Sequence, residues 1–351
     1  MHPDPLSTGL PARLPAGWTA DVPGESDVAE LTEVVRRHEL GARGWAGASQ
    51  ESLSVEVSAP GSQTRENVVV RDPGGAIRGW AGAHDRAAGR MLLTVVADPR
   101  LEDDRADRVA AALFGWGDQA ARRIGTARGL AVQQIDSGAF AGDERQQRWL
   151  RRAGFEKVRT WWQMSRPVTF EKDAREVETG AGVRIRRVRR VAGMPDEEDL
   201  RIVHDVLESA FADHFNSHEE TFDEFVSRLR LDPGHRWDHW WIAELVGDGS
   251  VEPAGALVGS VTEGTAGEPD GSYVEYLGVL QNARGRRVAK SLLNTVIADA
   301  AANGRNRVGL EVDADSPTGA DGLYVSMGWT TQYVTESWHR NVPVDAVDPA
   351  P

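Results

Sequence analysis

The sequence predicts a mixed α/β chain made of two copies of one domain, each a central mixed β-sheet flanked by helices. Three observations carry this prediction. The chain has 351 residues, 40% hydrophobic and 27% charged, which is the length and balance of two ordinary globular domains. A helix-like run ending in glycine and an aromatic residue occurs twice, as Trp149-Leu150-Arg151-Arg152-Ala153-Gly154-Phe155 and as Leu323-Tyr324-Val325-Ser326-Met327-Gly328-Trp329. Upstream of each, at nearly the same offset, stand Arg105-Ala106-Asp107-Arg108-Val109-Ala110 and Arg284-Gly285-Arg286-Arg287-Val288-Ala289. Each follows an apolar strand-like segment and opens an amphipathic helix.

Taken in order, residues 1–16 read as a flexible tail, and Met1 to Pro23 has no apolar run, so it is not a secretory signal. Residues 17–168 follow the order strand, helical region, three strands, helix, strand, helix, strand. The last of the three strands is the apolar segment Met91–Val96, and its helix repeats Val109, Ala112, Leu113 and Trp116 on one face. Residues 169–182 are acidic and without periodicity, a linker. Residues 183–341 repeat the order, with strands at Tyr273–Leu280 and Val308–Val312 and a helix face of Val288, Leu292, Leu293, Val296 and Ile297. Residues 342–351 form a second tail.

Composition excludes several function classes. There is no cysteine, so disulfides, thiolate zinc sites and a cysteine nucleophile are absent, which suits a cytoplasmic protein. The formal net charge of -14 argues against long nucleic acid as a partner. No stretch of about 18 apolar residues is present to cross a membrane. A monomer or homodimer acting on a small molecule is the expectation.

Residues 284–289 and 323–329, each preceded by a strand, resemble the signatures of the GNAT acyl-CoA N-acyltransferase superfamily, and the duplicated arrangement is similar to its tandem, mycothiol synthase-like members. The resemblance is close over 183–340 and weak over 17–168. It implies a coenzyme A site in which Arg284, Gly285, Arg286, Arg287, Val288 and Ala289 clasp the pyrophosphate. The chemistry is sound in itself: a helix N-terminus offers unpaired N–H groups and partial positive charge, and glycine lets the backbone approach a phosphate closely. Arg287 stands where the family pattern has glycine, so Gly285 is expected to supply the conformational freedom while Arg287 turns outward. In the first copy Gly285 becomes Ala106, Arg286 becomes Asp107 and Tyr324 becomes Leu150, which marks that copy as catalytically silent.

Acetyl transfer from acetyl-CoA to an amine needs donors for the thioester carbonyl, a group to take the ammonium proton and a group to protonate the departing thiolate. The resemblance implies that the strand through Tyr273–Val279 splays from its neighbour and offers the N–H groups of Leu277 and Val279, and that Tyr324 is the acid. Glu275, on the same strand and by alternation on the same face as Leu277 and Val279, is the candidate base, or else an anchor for the substrate ammonium. Glu311 is the runner-up. His214 and one of the tryptophans at 237–241, Trp241, are expected on the acceptor wall. The function so read is an acetyl-CoA-dependent N-acetyltransferase for a primary amine of a small molecule. The alternative is a non-catalytic acyl-CoA-binding or protein-interaction module of the same fold.

Overall fold

The computed structural model describes residues 14–58, 64–86, 90–212, 220–230, 235–247, 249–264, 267–315 and 320–344. The chain divides into two compact units. One is residues 1–161 with 333–351, and the other is residues 162–332.

In the first unit the elements run β1 (Thr19–Asp21), α1 (Val28–Arg43), α2 (Gln50–Val57), β2 (Arg65–Arg71), β3 (Ile77–Arg86), β4 (Arg90–Ala97), α3 (Asp103–Ala127), β5 (Val132–Phe140), α4 (Glu144–Arg152) and β6 (Glu156–Pro167). Its strands are antiparallel except for β4 and β5, which pair in parallel. Alternation along β2 sends Val68 and Val70 into the core beneath α3, and Val69 into a second core beneath α1. The second unit repeats the plan: α5 (Phe170–Asp173), β7 (Val183–Arg187), a hairpin of β8 (Arg190–Val191) and β9 (Met194–Pro195), α6 (Glu197–Phe211), α7 (Phe222–Arg230), β10 (His235–Gly247), β11 (Ser250–Thr262), β12 (Gly271–Val279), α8 (Val288–Ala302), β13 (Arg307–Asp313), α9 (Ala320–Ser326) and β14 (Thr330–Pro343). Here β12 and β13 form the parallel pair. The predicted helix face of Val288, Leu292, Leu293, Val296 and Ile297 is buried against one side of this sheet, while α6 and α7 cover the other.

Two features differ from the sequence reading. The unit boundaries fall inside β6 and β14 rather than at the linker, because the last strand pairs beside β5 of the first unit from Thr335–Phe140 to Pro343–Val132. The linker is also less loose than its composition suggests. It carries the turn of α5, and Gly180 lies against the segment before α8.

The duplicated glycine–aromatic motif has a local cause. Gly154 and Gly328 both adopt left-handed backbone, with φ of 82° and 92°. The following N–H groups, of Phe155 and Trp329, reach back to the carbonyls of Leu150 and Tyr324 at 3.0 and 3.1 Å. Each is a helix cap that only glycine enters without strain, and each plants the next aromatic in the core. Among the described residues no helix is long and apolar enough to cross a membrane.

Candidate active site

The parallel pairing of β12 with β13 stops at Val274–Leu310, although β12 continues to Val279 and β13 to Asp313. The two strands therefore splay beyond that pair. On its other edge β12 stays bonded to β11, and the N–H of Leu280 donates to the carbonyl of Ala254 at 2.9 Å. Backbone groups alternate along a strand, so the N–H groups of Leu277 and Val279 point into the splay.

At the end of β12 the chain makes one 3-10 turn, Gln281–Ala283, and enters α8 through residues 284–287. Gly285 has φ of 78° and Arg287 has φ of 65°. The expectation that Gly285 would relieve position 287 is corrected by this geometry, since both positions are left-handed and Arg287 bears strain of about 1 kcal/mol. Its side chain is exposed, as are those of Arg284 and Arg286. Among the described residues these three guanidinium groups have no carboxylate partner, in a chain whose other arginines are mostly ion-paired. The N–H groups of Gly285, Arg287, Val288, Ala289 and Lys290 likewise have no hydrogen-bond acceptor among the described residues. Unpaired N–H groups, a helix N-terminus and free arginines converge here on the chemistry of a polyphosphate.

Glu275 is placed differently from the sequence expectation. Gly259 pairs with Val274 and Val258 with Tyr276, so Glu275 is the extra residue of a β-bulge. The bulge slips the alternation by one. Val274, Leu277 and Val279 pack beneath α8, whereas Tyr276 packs beneath α6 and α7. Glu275 accepts the Ser260 hydroxyl at 2.5 Å, and Ser260 continues the alternation of Ala256 and Val258 on the α6 side. It does not share a face with Leu277 and Val279. Glu311, the first residue of β13 past the last pair, also faces away from α8, since Val308, Leu310 and Val312 lie beneath that helix. Its carboxylate accepts from Gln163 of β6, which accepts the Tyr273 hydroxyl at 3.3 Å. Burial pushes the Glu311 carboxyl up, the Gln163 bond opposes this, and Asp313 adds to the rise. Two carboxylates thus flank the start of the splay, one on each strand.

Tyr324, on α9, packs edge-on to Trp329 with ring centroids 6.0 Å apart. Its hydroxyl has no hydrogen-bond partner among the described residues, and burial raises its pKa, so it holds its proton. Trp241 is corrected to a core residue. It is 2% exposed and packs beneath α8, while its neighbour Trp240 enters the opposite core with Trp237 against it at 5.0 Å. His214 lies outside the described residues. Tyr276 and Arg228 were not singled out by sequence reasoning. Arg228 donates to the Tyr276 hydroxyl at 3.0 Å and pairs with both oxygens of Glu220 at 2.8 and 2.7 Å. Burial opposes the Arg228 charge, but those bonds outweigh it and raise its pKa. No sequence signal links residues 220, 228 and 276, because only the fold brings them together.

The first unit has the same splay, with β4–β5 pairing ending at Leu92–Asp136, but the splay is filled. Ser137 donates to the carbonyl of Leu93 at 2.7 Å, and the Gln146 amide donates to that of Val95 at 3.1 Å. Residues 105–108, the counterparts of 284–287, lie inside α3, and the N–H of Ala106 is spent on Glu102. Asp107 is held by Trp149, Arg148 and Arg152. Burial opposes its charge, but those bonds lower its carboxyl to about 2. With alanine in place of glycine the turn becomes helix, and Asp107, in the place of Arg286, pairs with Arg148 and Arg152 of α4.

Comparison with known proteins bears on the fold. No curated protein matches the sequence. Among solved structures, a GCN5-related N-acetyltransferase from Sphaerobacter thermophilus is 23% identical, with 94% of this chain and 98% of that one covered at a TM-score of 0.73. A tandem GNAT protein from the clavulanic acid biosynthesis pathway is 14% identical, with 93% and 100% covered at 0.66. An N-myristoyltransferase of Saccharomyces cerevisiae, solved with myristoyl-CoA, is 9% identical, with 99% and 84% covered at 0.59. Residues 203–329 match the acetyltransferase (GNAT) family, and the chain as a whole has the tandem GNAT fold.

Proposed function

We propose that the protein is an acetyl-CoA-dependent N-acetyltransferase that acts on a primary amine of a small molecule, with its active site in the second unit. The observation that carries this reading is the run from the β12–β13 splay into a turn with five N–H groups and three arginines that are unpaired among the described residues. The matching run in the first unit is filled by the protein's own side chains.

The residues present suit coenzyme A. The turn at 284–287 and the first turn of α8 would hold its diphosphate, and the N–H groups of Leu277 and Val279 its pantetheine arm. Bound acetyl-CoA supplies an acetyl group activated as a thioester. Tyr324, kept protonated by burial, serves as the acid for the sulfur. Glu311, whose carboxyl burial raises, is the better proton acceptor. Glu275, held by Ser260, is the better anchor for the ammonium. The carboxylates of this wall favour a cationic acceptor, and a mycothiol synthase-like acceptor is one such amine. We place the protein in the cytoplasm as a monomer or homodimer.

The test is a thermal shift with coenzyme A and acetyl-CoA, followed by an acceptor screen that detects free thiol. Stabilisation by both and thiol release with an amine support the reading. No shift with either ligand ends it. Stabilisation without turnover on any amine favours the acyl-CoA-binding module instead.

A further inference from the structure

We propose that Gly180, in the segment between the two repeats, is a positioning residue for the phosphate-gripping turn, an inference that rests on the coenzyme A reading above. A Cβ built at Gly180 would overlap the carbonyl oxygen of Arg286, so the backbone of the linker lies directly on that peptide. The contact is fixed on both sides. The Gly180 carbonyl accepts the N–H of Val183 at 2.9 Å. The Gly180 N–H donates to the Ser291 hydroxyl at 3.3 Å, and that hydroxyl donates to the carbonyl of Arg287 at 3.0 Å. Ser291 is 2% exposed, so its hydroxyl links the linker to the start of α8 away from water.

The consequence follows from peptide geometry. No peptide bond here is cis, so the N–H of Arg287 points opposite to the carbonyl of Arg286. With that carbonyl turned toward Gly180, the Arg287 N–H is turned away from the linker, and it has no acceptor among the described residues. A free peptide could flip, and a flipped one would present a carbonyl oxygen to a phosphate oxygen, which repels it. The strained φ of 65° at Arg287 makes such a flip a real alternative, because it would relieve the left-handed conformation. Gly180, having no Cβ, leaves the room that the Arg286 carbonyl needs in the unflipped orientation. Any side chain at 180 pushes the Arg286 carbonyl away and releases the turn.

The test uses the full chain as wild type, Gly180→Ala and Ser291→Ala. Calorimetry measures coenzyme A affinity, and thermal shift measures stabilisation by millimolar pantetheine, which lacks the diphosphate. Gly180→Ala is expected to weaken coenzyme A about tenfold, and Ser291→Ala by a smaller factor, with the pantetheine shift unchanged in both. Coenzyme A affinity within about twofold of wild type in the folded variants overturns the inference. So does a parallel loss of the pantetheine shift, which would mark general damage. Should Gly180→Ala fail to fold, Ser291→Ala decides alone by the same criteria. A wild-type chain without affinity for coenzyme A overturns the underlying reading, which separates that failure from this one.

Discussion

Three side chains of the second unit divide the proposed chemistry between them, and each makes a separable prediction. Tyr324 has a burial-raised hydroxyl, unpaired among the described residues, so Tyr324→Phe should lower kcat at least about tenfold and leave coenzyme A affinity unchanged in calorimetry. Glu311 must be deprotonated to accept a proton, and its pKa is raised from the ordinary glutamate value. The rate should therefore rise with pH through that raised value and level off above it. Glu311→Gln should lower kcat about 100-fold and remove the rising limb, while Glu275→Gln should act mainly on the KM for the amine. A pH profile left intact by Glu311→Gln, but flattened by Glu275→Gln, would exchange the two roles. Arg287 contributes its N–H at a left-handed position, so Arg287→Gly should keep coenzyme A affinity within about threefold, the scale of one exposed charge.

At the scale of elements, stability draws on caps and on buried charge networks such as the one around Asp199. Gly328 closes α9 with φ of 92°, and Gly328→Ala should cost about 1 to 2 kcal/mol in denaturant unfolding. Asp199, at the start of α6, is fully buried and bonded by Arg186 and Arg189 at 2.6 to 3.1 Å. Burial alone would raise its carboxyl, but those bonds win and bring it from 3.8 down to about 2. A pKa depressed in the folded state contributes stability above the unfolded value and loses it as pH falls through the folded one. Unfolding should thus become easier between about pH 4 and pH 2, and Asp199→Asn should flatten that part of the curve at the expense of stability near neutral pH. The first glycine–aromatic cap was legible in the sequence because glycine at a left-handed cap is a local requirement. The bulge at Glu275 was not, because an extra residue in a strand is defined only against the strand beside it.

Across the whole molecule, one repeat keeps an open turn and the other has closed it. The expected coenzyme A stoichiometry in calorimetry is therefore one per chain. Replacing Arg284 and Arg286 together by alanine should weaken binding and reduce its dependence on salt, because two exposed charges are lost. Asp107→Ala in the first unit should leave that affinity unchanged. Two sites per chain, or a loss of binding caused by Asp107→Ala, would contradict the assignment of the site to the second unit.

By itself the sequence determined the duplicated order of elements, the helix face from Val288 to Ile297 and the glycine caps. All of these depend on residue periodicity or on backbone freedom within a few positions. Tertiary structure alone decided that Glu275 turns to Ser260, that Trp241 is core, that Arg228 holds Tyr276, and that Gly180 lies on the Arg286 peptide. Each of those is a contact between segments far apart in the chain, and a sequence carries no measure of such distances until the sheet has brought them together.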